Sequence, residues 1–550
     1  MLLDIVYGDD DAQCHIFSVC CKDNAKFLQI EILHYFCTSI NILPVKQEQE
    51  NHTIKDTEYN GILKYTGLFG GVQGLVSLIT LFRVSIVSRL LGPIGAGFND
   101  IYNRSIDLGK KATDLGISFS AVQTISERRN ENDEDESASM AYAIKVVRSW
   151  SLWLSLFGTL LFFLLAPLLS AWSFEGDCSY TPLFRLLSIT IGCSALMGGE
   201  LAVLKGAHKL NRLAWYQLTS ALIVLAVSIP CYYVWGLRGI VPSLLFSAIV
   251  VLIAACWHSF KVAPYQVSLF SRKVIKDGIY IIRQGINYTL AGLLGSGAYY
   301  LISIYIFRQG NAAEVGCYSY GTLLISYLSM LIFAVLDNDY FPRLSAANKD
   351  NIRSYQIVNS QAEMLMILIT PLVAWFAVCL PFVTPILFDE QFMPLVEMTQ
   401  LAAVGLLFRA IMLPTAYLPL SKGDSLVYLL QESLSYLFMI IAMIGGFKLF
   451  GLKGLGAGIL LSNLFDWLSV WLIVKFYYRF SYSRSIGQLL GIQVPLLACL
   501  LIICMYTQGW TYLILGLITA IATTLHSFLI LQRNTNLVQQ LLAKARKRKA

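Results

Sequence analysis

The chain has 550 residues and a formal net charge of +7; 56% of its residues are hydrophobic and only 14% are charged. Soluble domains usually carry about 25% charge, so a water-soluble globular protein is excluded. The positive excess lies in loops between apolar runs, where it reports orientation in a membrane and not a nucleic-acid surface. The 12 cysteines fall mostly inside apolar runs. Only Cys178 is expected to be exposed on the outer side, without a partner, so there is no disulfide framework. No Cys/His spacing suggests a metal site, and no cofactor is expected.

Residues 1–60 are mixed in character, with Asp9, Asp10 and Asp11 near the start and no cationic region followed by an apolar run. This is not a secretory signal peptide, and the segment reads as an N-terminal cytoplasmic extension. From there on, apolar runs exceed the roughly 20 residues that cross a bilayer. They predict about fourteen spans: 64–88, 95–120, 150–172, 184–204, 214–235, 239–260, 278–306, 315–340, 364–387, 394–420, 426–448, 455–475, 488–507 and 510–531. Long continuous segments of this kind can cross only as helices, which satisfy every backbone group internally. The predicted fold class is an all-α polytopic membrane protein.

In span one, Gly67/Gly71 and Gly70/Gly74 are spaced to admit a neighbouring helix. Gly92-Pro93-Ile94-Gly95-Ala96-Gly97 reads as a turn. Span two is the chemical centre. Asp100, Arg104, Asp107, Lys111 and Asp114 follow at intervals of four, three, four and three, within an arc of roughly 80° on a helix. Their alternating signs allow neighbours to pair. One charge at the bilayer centre costs at least about 2.5–3.5 kcal/mol, so the stripe must face a water-filled cavity or the bundle interior, unless the helix lies partly on the membrane surface. The stretch 121–149, with the run Glu131 to Glu136, reads as a solvated loop. Further along, Glu200 follows Gly198-Gly199, with Lys205 five residues on. Arg283 lies a turn inside span seven near Gln284 and Asn287. Tyr299, Tyr300, Tyr318, Tyr320 and Tyr327 cluster in spans seven and eight. Arg409 stands mid-way along span ten, before Pro414, and Asp466 in span twelve. Each lone intramembrane charge is a functional candidate; the plainer alternative is an ion pair between helices.

Loops after even-numbered spans hold most of the Lys and Arg, and Lys544 to Lys549 form a basic tail. Positive loops stay in the cytoplasm, which places both termini there. The chain also repeats itself. At an offset of 219, Arg89 falls on Arg308 and Gly97 on Gly316; at 215, Gly236-Leu237-Arg238-Gly239 falls on Gly451-Leu452-Lys453-Gly454. Duplicated helical blocks suit a transporter with its site between the halves. The expected organisation is an extension at 1–60, a first lobe at 61–270 (spans one to six) and a second at 271–480 (spans seven to twelve). Two extra spans at 481–532 and a basic tail at 533–550 complete it. The stripe has no counterpart: Arg104 maps to Leu323, Asp107 to Ser326 and Lys111 to Met330. The cavity is therefore expected to be charged on one side and rich in Tyr, Ser and Thr on the other.

Leu63 to Gly74, Leu115-Gly116-Ile117-Ser118, Gly198-Gly199-Glu200 with Leu204-Lys205-Gly206, Trp235 to Ser243 and Asp339 to Ser345 together resemble a known family. It is the O-antigen and capsule flippase branch of the multidrug/oligosaccharidyl-lipid/polysaccharide exporter superfamily, and the resemblance covers about 61–480. It implies twelve core helices in two lobes and export of undecaprenyl-diphosphate-linked oligosaccharide across a bacterial inner membrane. The partners implied are that polyprenyl-diphosphate-linked glycan, the bilayer and polymerase or export machinery; nucleic acid is not one. Arg104, Lys111, Arg283 and Arg409 are the candidates to bind the diphosphate. Asp100, Asp107, Asp114 and Glu200 would balance charge or couple an ion. The two extra spans are similar to fourteen-helix lipid II flippases, which keeps that cargo, or an ion-coupled drug exporter, as an alternative. A membrane glycan polymerase is the alternative from another class, but it would need a sizeable outer loop with catalytic groups, and the outer loops here are short.

Overall fold

A computed structural model describes residues 46–129, 136–335 and 340–534, with side chains from residue 71 onward. The chain divides into two compact units at Gly70/Gly71, and everything below concerns the second. Fourteen helices follow in order: α1 (Lys46–Asp114), α2 (Ile117–Arg129), α3 (Glu136–Ser173), α4 (Thr181–Gly206), α5 (Leu210–Trp235), α6 (Ile240–Phe260), α7 (Arg272–Gln309), α8 (Ala312–Val335), α9 (Phe341–Ala346), α10 (Asn351–Leu387), α11 (Leu395–Ser421), α12 (Ser425–Tyr478), α13 (Arg484–Tyr506) and α14 (Gly509–Asn534). Among the described residues, ten segments are long and apolar enough to cross a membrane. Three of them hold two spans each, broken at Gly92, at Gly236 and at Gly451, and α8 supplies one more. That makes the fourteen crossings expected.

Polar side chains set several helix starts. Asp350 accepts the backbone N–H of Arg353 at the start of α10, and Ser483 that of Ile486 at the start of α13, a stabilising N-cap in each case. Between α3 and α4, Asp177 accepts the backbone N–H and the hydroxyl of Ser179, which hold its carboxyl below the usual carboxylate range.

The stretch expected to be a loop, 121–149, is largely helical. Residues 117–129 form α2 and α3 begins at Glu136. Ile117, Ala121 and Ile125 recur at helical spacing with exposures of 3%, 0% and 0%. This apolar face, packed with Ile144, Val147 and Val203 in one cluster, outweighed the polar character of the rest. The acidic residues before Glu136 and the basic tail lie outside the described residues. Gly71 and Gly74 of span one differ from expectation, since an added Cβ at either would meet no described atom within 4 Å; the surroundings of Gly67 and Gly70 lie outside what is described.

The duplication is visible in the backbone. Gly236 adopts φ 53°, ψ −129° and Gly451 φ 59°, ψ −138°, a left-handed turn that only glycine enters readily. Each permits the same close approach eight residues apart: a Cβ at Gly239 would stand 2.3 Å from the carbonyl oxygen of Cys231, and one at Gly454 1.8 Å from that of Gly446. The extra helices dock on α10, where the Tyr512 hydroxyl donates to the carbonyls of Ala377 and Val378 and Trp375 Nε1 to Thr524.

Candidate functional site

The second half of α1 carries the charged stripe, and the fold distributes its members. Asp100 is buried, at 6% exposure. Its carboxylate accepts the Ser303 hydroxyl from α7 at 2.7 Å and lies 3.3 Å from Arg104 Nε. That contact is an ion pair without hydrogen-bond alignment, so Nε is left without a hydrogen-bond partner among the described residues. The Arg104 guanidinium lies 5.0 Å from the centre of the Tyr299 ring. Asp107 and Lys111, one and two turns on, are exposed. The Lys111 stem runs along Gly292 of α7, where an added Cβ would stand 3.3 Å from it. Asp114 accepts the Ser118 hydroxyl at 2.5 Å. The stripe therefore begins in an ion pair between buried Asp100 and half-buried Arg104, passes through exposed Asp107 and Lys111, and ends at half-buried Asp114.

Arg104 of α1 and Tyr299 of α7 line one side of a cavity of about 830 Å³, with Tyr318 of α8 also in its lining. The other walls come from α8, α11 and α12 and include Arg409, Gln431, Glu432, Ser435, Asn463 and Asp466. Asp466 accepts a hydrogen bond from the Ser435 hydroxyl. The expected asymmetry is met only in part: among the described residues Arg104 is the one charged lining residue from the first half of the chain, while the second half supplies the hydroxyls, amides and aromatic rings and also three charges, Arg409, Glu432 and Asp466. Arg409 and Arg104, 305 residues apart in sequence, share this space. Asp107, Lys111, Asp114 and Arg283 do not line it. Arg283 is exposed on α7, and the side chains of Gln284 and Asn287 beside it are not among those described.

Glu200 lies elsewhere. Its carboxylate receives three hydrogen bonds of 3.0–3.2 Å from the guanidinium of Arg148 on α3. Arg148 also donates to Ser259 and to the carbonyls of Ala263 and Pro264. The pair is satisfied, buried, and separate from the cavity. Lys205, the partner that proximity in sequence suggested, gives way to Arg148, whose place at a predicted span boundary hid its burial. Gln431, Glu432 and Ser435 before the break at Gly451 in α12, with Ser462, Asn463 and Asp466 after it, were also passed over as a group. Their spacing of three and four within apolar spans was the signal that could have found them.

The two halves also meet in a reciprocal contact. A Cβ added at Gly97 would stand 1.9 Å from the Ala312 carbonyl oxygen, and one at Gly316 2.0 Å from that of Pro93. Pro93 and Ala312, like Gly97 and Gly316, are 219 residues apart, so each copy meets its equivalent in the manner of a two-fold interface. Arg89 and Arg308 extend the pattern. Arg89 donates to the carbonyls of Ile386 at 2.7 Å and Phe388 at 3.1 Å, at the end of α10; Arg308 donates to those of Ala171 and Trp172, at the end of α3. Each arginine caps the C-terminus of a helix in the other half, where carbonyls lack partners and the dipole favours a cation. Phe98 packs between Phe174 and Phe307, with ring centres 5.7 and 5.9 Å away. The cavity lining also includes Tyr417 and Tyr428, near the turn from α11 to α12.

Three solved structures share this fold. A multidrug resistance MATE family transporter of the MOP superfamily, in an inward-facing conformation, is 16% identical, with 76% of this chain and 96% of that chain covered and a TM-score of 0.61. The lipid II flippase MurJ in an inward closed conformation is 14% identical, with 85% and 99% covered and a TM-score of 0.65. The Vibrio cholerae MATE transporter VcmN in its bent form is 14% identical, with 80% and 99% covered and a TM-score of 0.52. At such identities the likeness is one of fold. No curated protein sequence matches the chain. The family model described as polysaccharide biosynthesis protein matches residues 86–397, from within α1 through the charged stripe to the start of α11. With more than half of its length matched, this multi-pass membrane protein belongs to the polysaccharide biosynthesis protein family.

Proposed function

We propose that the protein is a flippase that carries an undecaprenyl-diphosphate-linked oligosaccharide, a unit of O-antigen, capsule or exopolysaccharide, from the cytoplasmic to the outer leaflet of a bacterial inner membrane. The observation that carries this reading is the cavity between two related halves, with Arg104 and Arg409 set among hydroxyls, amides and tyrosines. Such a space suits a cargo with an anionic diphosphate and a hydroxylated glycan, because guanidinium groups bind phosphate oxygens in pairs and aromatic faces accept sugar C–H patches. The family match favours a polysaccharide precursor over the two related cargoes, lipid II and cationic drugs.

In this reading Arg104 and Arg409 meet the diphosphate inside the cavity, and Lys111 and Arg283 guide it in along exposed faces. Asp100, Asp107 and Asp114 balance the stripe. Glu200 is the charge balance of Arg148 and is not a coupling group. With the basic loops and both termini in the cytoplasm, the Gly97/Gly316 contact is the outer closure and the cavity opens inward. Transport then requires the lobes to rock about that contact. No residue acts as a catalyst, and polymerase or export machinery would consume the product outside. The test is reconstitution into proteoliposomes with a tritiated undecaprenyl-diphosphate oligosaccharide on one face. Its appearance on the other face, faster than in protein-free vesicles, is expected; equal rates with and without protein would refute the reading.

A further inference from the structure

The proposed diphosphate contacts leave most of the cavity unexplained, and its second-half wall is built differently. Gln431 is 2% exposed, yet neither its Nε2 nor its Oε1 has a hydrogen-bond partner among the described residues. The Tyr318 hydroxyl, at 0% exposure, is in the same position. Both residues line the cavity. Unpartnered buried donors and acceptors are costly and rare in folded proteins, and a ligand bearing hydroxyls would satisfy them. On the same wall stand two carboxylates, Glu432 and Asp466, against the single cation Arg409. The other cation of the cavity, Arg104, is already balanced by Asp100. A cleft with excess negative charge strengthens electrostatic discrimination, since its low-dielectric walls screen that charge less than bulk water does.

Resting on the flippase reading, we infer that this wall is the glycan subsite, and that Glu432 and Asp466 make it selective for neutral or amino-bearing sugars over acidic ones. Gln431 and Tyr318 would bind sugar hydroxyls. The carboxylates would tolerate or attract an ammonium group and repel a uronate. The carboxylates Glu432 and Asp466 thus oppose in sign the two guanidinium groups that meet the diphosphate, which would fix which end of the cargo enters where.

The test uses the full-length protein in proteoliposomes and three polyprenyl-diphosphate trisaccharides, identical except for a hydroxymethyl, a free amino group or a carboxylate at one position. The expected result is transport of the neutral and amino forms, with the carboxylate form at least tenfold slower (about 1.4 kcal/mol). The acidic-to-neutral rate ratio should rise severalfold in Glu432→Gln and further in Glu432→Gln/Asp466→Asn, and fall in Arg409→Gln. Glu432→Gln alone keeps the Ser435–Asp466 hydrogen bond, so the ratio remains readable if the double variant does not fold. Equal rates for all three sugars, or a ratio unmoved by Glu432→Gln, overturn the selectivity. Failure to transport any of the three overturns the flippase reading itself.

Discussion

Arg409 illustrates how one residue's surroundings decide its meaning. It sits in α11, where Phe408, Ala410, Ile411 and Met412 are all buried, yet it is itself exposed. A guanidinium on a helix packed on its other faces must project into water, so the cavity hydrates it. The charged stripe follows the same logic. Replacing Arg104 and Lys111 together by Ala should abolish transport of the lipid-linked glycan while the protein stays at normal level in the membrane, as read by vesicle assay and immunoblot. Normal transport at normal level would make the stripe structural. The Arg148–Glu200 pair should respond differently. Removing one member of a buried, hydrogen-bonded pair strands the other, at a cost of about 3–5 kcal/mol. Glu200→Ala should therefore lower the melting temperature in detergent sharply. A smaller loss is expected for Arg148→Met/Glu200→Leu, which strands no charge. Arg409, the stripe and Glu200 were all legible as intramembrane charges. Arg148 and the orphaned amide of Gln431 were not, because burial of a polar group depends on what packs against it from distant sequence.

At the scale of elements, the repeat explains positions that look arbitrary one at a time. Gly236 and Gly451 share one left-handed conformation, so a side chain at either would strain the same hairpin in its own half. Arg89 and Arg308 match in sequence, and the tertiary contact gives them a job: each caps a helix across the interface. Such capping contributes about 0.3–1 kcal/mol per cation, small enough to break in a transport cycle. In Arg89→Ala/Arg308→Ala the proposed outer closure should loosen. A cysteine at Ala96, which is 1% exposed, should then react with an impermeant maleimide several times faster than in the parent; an unchanged rate would show that the caps do not hold the closure. Gly97→Leu or Gly316→Leu, with no room beside the opposing backbone, should expose the same probe to a similar degree, since the two sites are equivalent.

For the whole molecule, the alternation of basic loops predicts the orientation. Cysteines placed near Gly176 and Gly509 should label from outside intact cells, and those near Lys273 and Asp350 only after permeabilisation. Labelling of the last two in intact cells would break the fourteen-span arrangement. The proposed lobes, 61–270 and 271–480, should superpose through an axis roughly along the membrane normal, as expected for parallel repeats of six spans. An experimental structure placing spans one and seven in non-equivalent positions would refute that division.

The sequence alone determined the membrane class, the number of crossings, the family and the duplication. Each of these rests on local quantities: the length of an apolar run, the sign of a loop, the recurrence of glycine and arginine at a fixed offset. It also marked Arg104 and Arg409 as functional candidates, because the bilayer penalises any charge that lacks water or a partner. Tertiary structure decided what the charges face. It drew Glu200 to Arg148 across 52 residues and brought Arg104 and Arg409 to one cavity. It also turned a stretch read as a solvated loop into α2, through the burial of Ile117, Ala121 and Ile125. Those outcomes depend on which helices pack together, a many-body choice of burial and pairing that no single segment encodes.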